Sequence, residues 1–329
     1  MAETALNEQL FALSTAFWAS RSLQAIAELG VADALGDSPQ TAEQLAQATG
    51  TDAVALGRVL RLMAAQGIFE FRDGAWMHTA ASRLLRSDHP QSTRAFLRLM
   101  GLPFIWQSWG HLEHSLRTGE PGVTRLDAEG PFAYLKKHPD ESRIFNAGMA
   151  SKAQREIPVV LEVYDFSRFK RIADIGGGRG HLLLSILKHA PAAVGVVFDQ
   201  PHVIAETPER DARLERQAGD FFRDRLPAAD AYLLMDILHD WNDADAARIL
   251  SAIRRAASPN ATVLVIETVI LDTPGPHLAK ALDINMLVMT GGRERTVAEH
   301  QALLVSAGFR LERVIPTPSP YSLVEGTAV

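Results

Sequence analysis

The chain contains no cysteine, which excludes disulfides, thiolate metal sites and a cysteine nucleophile. Positive charge is also scarce, because 33 Lys and Arg face 39 Asp and Glu, giving a formal net charge of -6. This balance argues against a general attraction to nucleic acid or anionic membranes. Long apolar runs are missing too, since stretches such as 261–271 are too short to span a bilayer. We therefore expect a cytoplasmic protein that acts on a small molecule, with no nucleic acid and no membrane as partner.

The N-terminal part of the chain has the pattern of short helices followed by a hairpin. Apolar residues recur at near-helical spacing in residues 5–27 and 53–66, and Thr41 has the context of a helix N-cap. Two short apolar segments, 68–71 and 75–79, flank an Arg-Asp-Gly turn, which predicts a β-hairpin. The order helix, turn, helix, wing is typical of a winged helix.

The next part, up to about residue 165, is helical in pattern but interrupted at Pro103, at 119–122 and at Pro139. We interpret it as a connector that contributes to a substrate pocket. Its aromatic side chains could roof such a pocket: Phe104, Trp106, Trp109, Phe132 and Tyr134.

From residue 171 onward, strand patterns alternate with helix patterns. This alternation predicts an α/β fold with a parallel, Rossmann-like sheet and helices on both faces. The predicted strands are 171–175, 193–198, 231–235, 261–270, 310–315 and 321–324.

A glycine-rich turn ends the first of these strands. Asp174 is followed by Ile, three glycines, Arg and Gly180, so a ligand can press against backbone at Gly176 and Gly178. The dinucleotide fingerprint would place glycine where His181 stands, which weakens the pyrophosphate interpretation. The turn also lacks the Gly-Lys-Ser/Thr ending of a phosphate-binding Walker loop.

Two further carboxylates are placed to hold an adenosyl ligand. Asp199 follows the second predicted strand, where an acidic side chain can accept hydrogen bonds from both ribose hydroxyls. Gly219, Asp220 and Phe221 offer a carboxylate and an apolar neighbour for an adenine amine and ring. Two structural alternatives remain open, with Asp174 as a helix cap and Asp220 as a turn residue.

The segment 233–243 contains Leu-His-Asp-Trp directly after a strand, and it resembles the plant caffeate-type and bacterial natural-product O-methyltransferases. The family's Gly-Gly-Gly-x-Gly turn, Phe-Asp-x-Pro and Gly-Asp-x-Phe motifs match here at 176–180, 198–201 and 219–222. A further family block, Gly-Gly-Arg-Glu-Arg-Thr, matches 291–296. The resemblance covers nearly the whole chain.

This resemblance implies an S-adenosylmethionine-dependent enzyme that produces S-adenosylhomocysteine and uses no metal. His239 matches the general base, and Glu267 and Glu294 match the two carboxylates that flank it. A neutral imidazole can remove a phenol's proton during attack, and a carboxylate on its second nitrogen fixes the tautomer. The acceptor expected from the resemblance is a hydroxyl, or a ring nitrogen, of an aromatic or polyketide-like small molecule.

The predicted site residues fall into two further sets. The cofactor set is Asp174, Gly176, Gly178, Asp199, Gly219, Asp220, Phe221, Met235 and Trp241. The acceptor set is Trp106, Phe132, Asn146, Met149, Asp240, Met286 and Met289. At Met235 the chain departs from the lysine common in plant members, so one cofactor contact is expected to be lost or altered.

Three segments follow from these patterns. We predict a winged-helix-like dimerisation domain at 1–95, a helical connector at 96–165 and a Rossmann-like catalytic domain at 166–329. The resemblance implies a homodimer formed through the first segment.

Two alternative functions remain at this point. A winged helix could belong to a ligand-responsive transcription regulator, but residues 1–90 hold six arginines, no lysine and ten acidic residues, whereas reading DNA needs clustered positive charge. The same fold could instead perform decarboxylation, hydroxylation or demethylation. His111 and His114 lack a third ligand at suitable spacing, so we predict no metal site.

Overall fold

The computed structural model describes residues 2–205 and 211–329. The chain divides into two compact units. The first comprises Met1–Trp106 and Leu135–Lys152, and the second comprises Gln107–Tyr134 and Ala153–Val329. The three-segment division expected from the sequence stays a prediction.

The first unit is mainly helical and carries one hairpin. Its elements are α1 (Ala2–Thr15), α2 (Phe17–Glu28), α3 (Val31–Leu35), α4 (Ala42–Thr49), α5 (Ala53–Ala65), β1 (Phe69–Arg72), β2 (Ala75–His78), α6 (Ala80–Arg83) and α7 (Arg94–Met100). Three helices contain residues of both units, namely α8 (Pro103–Gly110), α10 (Pro131–Lys137) and α11 (Pro139–Val163).

Local sequence explains most of this first unit. Thr41 caps α4 through a capping box with Gln44, as its sequence context predicts. The antiparallel pair β1 and β2 is closed by Asp73 and Gly74, which both adopt positive φ and therefore match the twist of a tight hairpin. The helix expected over 5–27 is wrong in one respect, because it is interrupted between Thr15 and Phe17 and forms α1 and α2.

The second unit is built around a sheet. Its elements are α9 (Leu112–Thr118), the 3-10 helix η1 (Gly122–Arg125), β3 (Arg171–Ile175), α12 (His181–His189), β4 (Val194–Asp199), α13 (Pro201–Ile204), β5 (Leu214–Ala218), β6 (Ala231–Met235), the 3-10 helix η2 (Leu238–Asp240), α14 (Asp243–Ala256), β7 (Thr262–Ile270), α15 (Leu278–Met289), β8 (Arg295–Thr296), α16 (Val297–Ser306), β9 (Phe309–Pro316) and β10 (Tyr321–Ala328).

The strand order in this sheet is β5-β4-β3-β6-β7-β10-β9, with the short β8 beside β7. The pairs from β5 to β7 are parallel, while β10 runs antiparallel to β7 and β9. The central strands β3, β4, β6 and β7 are almost wholly buried, as expected when helices cover both faces of a parallel sheet. The Rossmann-like α/β fold predicted from the sequence is confirmed.

Several elements of the second unit escape the sequence patterns. The strand β5 is polar on most positions, because it is an edge strand, and β8 has only two residues. The apolar helix α15 also lies outside the predicted elements. Among the residues that the structure describes, no helix has the length and apolar character needed to cross a membrane.

Candidate active site

The sequence-predicted polar residues follow the carboxyl ends of neighbouring parallel strands. Asp199 ends β4, and His239 follows β6 by a few residues. Because β3, β4, β6 and β7 are parallel, these ends meet at one edge of the sheet, where ligands of open α/β sheets bind.

The glycine turn after β3 directly adjoins the turn that carries His239. Gly176 has a φ of 72°, and a Cβ there would lie 2.4 Å from Cδ1 of Ile237. Gly178 has a φ of 57° and open space where its side chain would be. A side chain is therefore excluded at Gly176. At Gly178 no side chain covers the backbone, so a ligand can approach it there.

Asp174 lies buried beneath this turn. One of its carboxylate oxygens, Oδ2, has no hydrogen-bond partner among the described residues. Burial, together with the charge of Asp199, raises the pKa of Asp174 to about 7. A buried, unsatisfied carboxyl group favours a positively charged or hydrogen-donating partner. It does not cap α12, whose N-cap is Gly180 without a side-chain bond.

Asp199 braces the glycine turn in this structure. Its Oδ2 accepts the N–H of Gly178 at 2.8 Å, and its Oδ1 accepts the N–H of Gln200 at 2.6 Å. Its carbonyl accepts the N–H of Gly219 at 2.9 Å, so the three predicted cofactor positions are joined by direct hydrogen bonds. Burial raises the pKa of Asp199.

Asp220 and its neighbours form an aromatic corner. The Asp220 carboxylate accepts the N–H of Phe222 at 2.8 Å, which is the turn role left open by the sequence. The ring of Trp241 meets Phe221 edge-on at 5.8 Å and Phe222 at 4.7 Å. The predicted adenine-side residues Phe221 and Trp241 are thus in contact, whereas Met235 is partly buried in a separate apolar cluster.

His239 is 4% exposed and is held by Glu294 through its ring. Its Nδ1 lies 2.7 Å from Oε1 of Glu294, and Oγ1 of Thr268 donates to the other oxygen of Glu294 at 2.6 Å. The main-chain N–H of Glu294 in turn donates to Asp283 at 2.9 Å. In its neutral form, the imidazole therefore carries its proton on Nδ1 and leaves Nε2 as an acceptor.

Glu267 acts on the same histidine in a different way. Its Oε1 accepts the main-chain N–H groups of Ile237 at 3.1 Å and of His239 at 3.0 Å. The flanking position expected from the sequence is therefore found, but this carboxylate holds the backbone of the turn instead of the imidazole.

Several carboxylates set the charge of this histidine. Burial alone lowers the pKa of His239, but the hydrogen bond to Glu294 and the charges of Asp240, Glu267 and Asp236 outweigh it and raise the pKa to about 10. Burial raises the pKa of Glu267 to about 7, although the charge of His239 opposes this shift. The structure therefore favours an imidazolium ion at neutral pH.

Sequence reasoning missed Arg295, which is 1% exposed. Its guanidinium donates to the carbonyl of Leu238 at 3.0 Å and to that of Trp241 at 2.9 Å. It thereby fixes the chain on both sides of His239. The sequence signal that could have identified Arg295 is its position next to Glu294 in the Gly-Gly-Arg-Glu-Arg-Thr block.

The predicted acceptor residues are spread over both units. In the second unit, Asp240 places Oδ1 3.9 Å from Nε2 of His239. Met286 and Met289 are buried on α15, and Phe132 is exposed. The remaining three belong to the first unit: Trp106, Asn146 and Met149. Trp106 donates its Nε1–H there to Gln24 at 2.9 Å.

The fold is that of a Rossmann-like methyltransferase. A family model described as the O-methyltransferase domain matches residues 109–310, and one described as the O-methyltransferase dimerisation domain matches residues 11–88. The chain belongs to the O-methyltransferase family, and it is an enzyme.

Three relatives illustrate the range of the family. The chain is 38% identical to the phenazine O-methyltransferase of Lysobacter antibioticus, over 98% of this chain and 97% of that protein. It is also 38% identical to the 8-amino-8-demethylriboflavin N,N-dimethyltransferase of Streptomyces davaonensis, over 93% and 91% of the two chains. The solved structure of a methyltransferase in calicheamicin biosynthesis, with S-adenosylhomocysteine bound, has a TM-score of 0.89 and 34% identity, covering 100% of this chain and 99% of that one.

We expect Gly292→Ala to disrupt the site. A Cβ at Gly292 would lie 1.9 Å from the carbonyl oxygen of His239, and backbone cannot yield as a flexible side chain can. Overpacking of this kind costs roughly 1–3 kcal/mol or more, so thermal unfolding should show a lower midpoint. Gly110→Ala is the matched control, because a Cβ at Gly110 would have no atom within 4 Å of it. Equal midpoints for both variants would contradict the packing argument.

We expect Asp174→Asn to change how stability depends on pH. The carboxyl of Asp174 has a pKa of about 7 in the folded protein, which is higher than in the unfolded chain. Its contribution to stability is therefore fully present below the unfolded pKa and is lost as pH rises towards 7. The loss is about 4 kcal/mol at most, from a shift of about three units. The variant should therefore gain stability relative to the wild type between pH 5 and pH 8, as measured by denaturant unfolding. Asp272→Asn, at an exposed loop position, should show no such gain.

Proposed function

We propose that this enzyme transfers the methyl group of S-adenosylmethionine to a hydroxyl group of an aromatic small molecule, with His239 as the base. The observation that carries the proposal is the buried imidazole fixed by Glu294 at 2.7 Å, on a turn that packs against the glycine turn through Ile237. A proton acceptor therefore lies next to a turn whose exposed backbone can bind a ligand.

The residues present fit an S-adenosyl cofactor. The turn at Gly178 leaves open space beside backbone, and the buried Oδ2 of Asp174 lacks a partner among the described residues, which suits a cationic amino group. Asp199 would hold the ribose hydroxyls, and Phe221 with Trp241 would enclose the adenine. When bound, the cofactor supplies a methyl group activated by a sulfonium, so the chain must mainly align the acceptor oxygen with it.

His239 is suited to receive the acceptor's proton. Its Nδ1 is committed to Glu294, so only Nε2 faces an incoming hydroxyl, and the carboxylates around the ring stabilise the imidazolium that forms. With a pKa of about 10, the imidazole is as basic as a phenolate. Once the imidazole has lost its own Nε2 proton to solvent, a bound phenol would transfer its proton readily and react as a phenolate beside the imidazolium.

An aromatic acceptor is supported by the names of the relatives and by two methionines of α15. The relatives include enzymes named for phenazine and demethylriboflavin substrates. On α15, Met286 and Met289 are buried side chains, and their polarizable thioethers are of the kind that packs well against aromatic rings. Since one relative is named as an N,N-dimethyltransferase, a ring or amino nitrogen is the nearest alternative acceptor atom.

We further propose that the enzyme is a homodimer assembled through the N-terminal unit. Residues 11–88 match the dimerisation domain. Apolar side chains recur along α1 and α2 at helical spacing and are more than half exposed, namely Leu6, Leu10, Leu13 and Phe17. An apolar stripe of this kind is typical of a surface that another protein covers.

Calorimetry with S-adenosylhomocysteine tests the cofactor site. We expect Asp199→Ala to weaken binding by at least about tenfold, because two charge-assisted hydrogen bonds to ribose and the brace on Gly178 are lost together. Asp272→Ala, at an exposed position in the loop after β7, should bind as the wild type does. Absence of binding to the wild type at millimolar ligand would refute the proposed cofactor.

His239→Gln tests the base. We expect kcat to fall by roughly two to four orders of magnitude, measured as methylated product from a panel of phenols and naphthols, while affinity for S-adenosylhomocysteine changes little. His189→Gln, an exposed histidine on α12, is the control. A variant that retains most of its activity would show that His239 does not remove the proton.

The same reaction predicts a pH profile for the wild type. The free enzyme holds a proton on His239 below a pKa of about 10, so forming the imidazolium–phenolate complex from a neutral phenol releases one proton. The value of kcat/KM should therefore rise by up to about tenfold per pH unit between about pH 7 and pH 9. A flat profile over this range would contradict the protonated resting state.

Light scattering tests the dimer. We expect a mass of twice the 35.9 kDa of one chain at micromolar concentration. Leu10→Glu should lower that mass by placing a charge in the apolar stripe. Leu116→Glu, at a 70% exposed position on α9, should leave it unchanged. A wild-type monomer would refute the proposed assembly.

A further inference from the structure

A tyrosine and an aspartate lie on the Nε2 side of His239, opposite Glu294. Tyr321 opens β10 opposite Thr268 of β7 and is 4% exposed. Its hydroxyl lies 2.7 Å from Oδ1 and 2.8 Å from Oδ2 of Asp236. The phenol thus contacts both oxygens of one carboxylate and fixes its orientation.

The Asp236 carboxylate is placed beside the imidazole without bonding to it. Its Oδ1 is 3.8 Å from Nε2 of His239, which is too long for a hydrogen bond but close enough for a strong charge interaction. This spacing leaves Nε2 able to bond to an acceptor hydroxyl. The same nitrogen would become the proton-carrying atom of the imidazolium.

The backbone at Asp236 supports this placement. Its φ is 57°, a left-handed conformation that aspartate tolerates better than most residues but that persists only where neighbours fix it. Its N–H donates to the carbonyl of Ile266 at 3.2 Å, and the two following turn residues Ile237 and His239 are held by Glu267. The orientation of the Asp236 carboxylate is therefore fixed both by its own backbone and by Tyr321.

We propose that Tyr321 and Asp236 are positioning residues for the methyl transfer: Tyr321 fixes the Asp236 carboxylate, and that carboxylate stabilises the imidazolium of His239. The inference rests on the proposed function. In the step, His239 first releases its Nε2 proton to solvent, the acceptor's O–H proton then moves to Nε2, an oxygen lone pair forms the bond to the methyl carbon, and the carbon–sulfur electron pair returns to sulfur. The negative charge of Asp236 then faces the new positive charge.

Other charged groups act on the same imidazole, so the test must isolate Asp236. The groups that face His239 or Tyr321 from the surrounding elements are Asp240 of η2, Glu267 of β7, Glu294 and Arg295 at β8, and Glu156 of α11. All of these remain in place when Asp236 alone is changed. The wholly structural alternative is that Tyr321 merely ties β10 to the turn.

The decisive measurement is the titration of His239 by histidine NMR in the full chain without cofactor. The signal is assigned by its loss in His239→Gln. We expect Asp236→Asn to lower the pKa of His239 by at least about one unit, since one neighbouring charge is lost. Asparagine tolerates the left-handed backbone and can still accept a bond from Tyr321, so the fold should be kept.

Kinetics on the phenol that the wild type methylates fastest give the second measurement. We expect Asp236→Asn to lower kcat at least about tenfold with little change in the acceptor KM. Tyr321→Phe should lower kcat less, and it should add little to Asp236→Asn, because the tyrosine acts through the carboxylate. Tyr232→Phe is the matched control: Tyr232 is a buried β6 tyrosine whose hydroxyl bonds only to backbone, at Pro227 and Ala229, among the described contacts.

The outcomes separate the two proposals. An unshifted His239 titration in both Asp236→Asn and Tyr321→Phe, with kcat no lower than in Tyr232→Phe, overturns the positioning role even if the midpoint of unfolding falls. A wild type that methylates no phenol or naphthol defeats the proposed function instead, and the titration still reports whether Asp236 acts on His239. A shifted titration with reduced kcat and unchanged KM supports the positioning role.

Discussion

One carboxylate oxygen of Glu267 accepts two backbone N–H groups, those of Ile237 and His239, and the geometry of the turn that carries His239 depends on it. This turn begins at the end of the buried strand β6 and leads into η2 within a few residues. It includes Asp236, whose backbone is left-handed. Its amide groups would otherwise lie unpaired inside the protein, at a cost of about 1–3 kcal/mol each. Glu267 is itself fixed because it lies on β7, between β6 and β10 in the sheet.

This contact also links the turn to the charge of the site. A buried glutamate that pairs with backbone amides keeps part of its negative charge near the imidazole. Glu294 adds a direct bond at Nδ1, while Arg295 secures the carbonyls on either side. The carboxylates around the histidine thus favour its protonated form, and Glu267 and Glu294 reach it from β7 and from the segment before β8.

The sequence predicts a candidate site at one edge of the sheet because its residues follow strand ends. The glycine turn, Asp199 and His239 lie next to apolar strands, and parallel strands bring such positions together. Tyr321 was not predicted as part of the site, because it meets Asp236 only through the antiparallel register of β10 on β7. Pairing between strands so distant along the chain leaves no local pattern. The role of Glu267 was likewise hidden, since spacing alone does not show whether a side chain meets a ring or a backbone.

Local patterns also determined most of the fold, with informative exceptions. The predicted strands 171–175 and 231–235 match β3 and β6, whose buried residues are apolar except for Asp174. The strand β5, with the sequence Leu-Glu-Arg-Gln-Ala, has no such run. Its charged side chains, Glu215 and Arg216, are compatible with a strand because both are exposed at the margin of the sheet.

The two edge strands of the sheet affect how readily the folded protein would aggregate at high concentration. The sheet ends in β5 on one side and β9 on the other, and both carry charged side chains, including Glu215 and Arg216 on the first and Arg310, Glu312 and Arg313 on the second. Charges on edge strands discourage strand addition by another molecule. The parallel core, which is buried and rich in valine, isoleucine and leucine, is thereby shielded from amyloid-like stacking while the chain is folded.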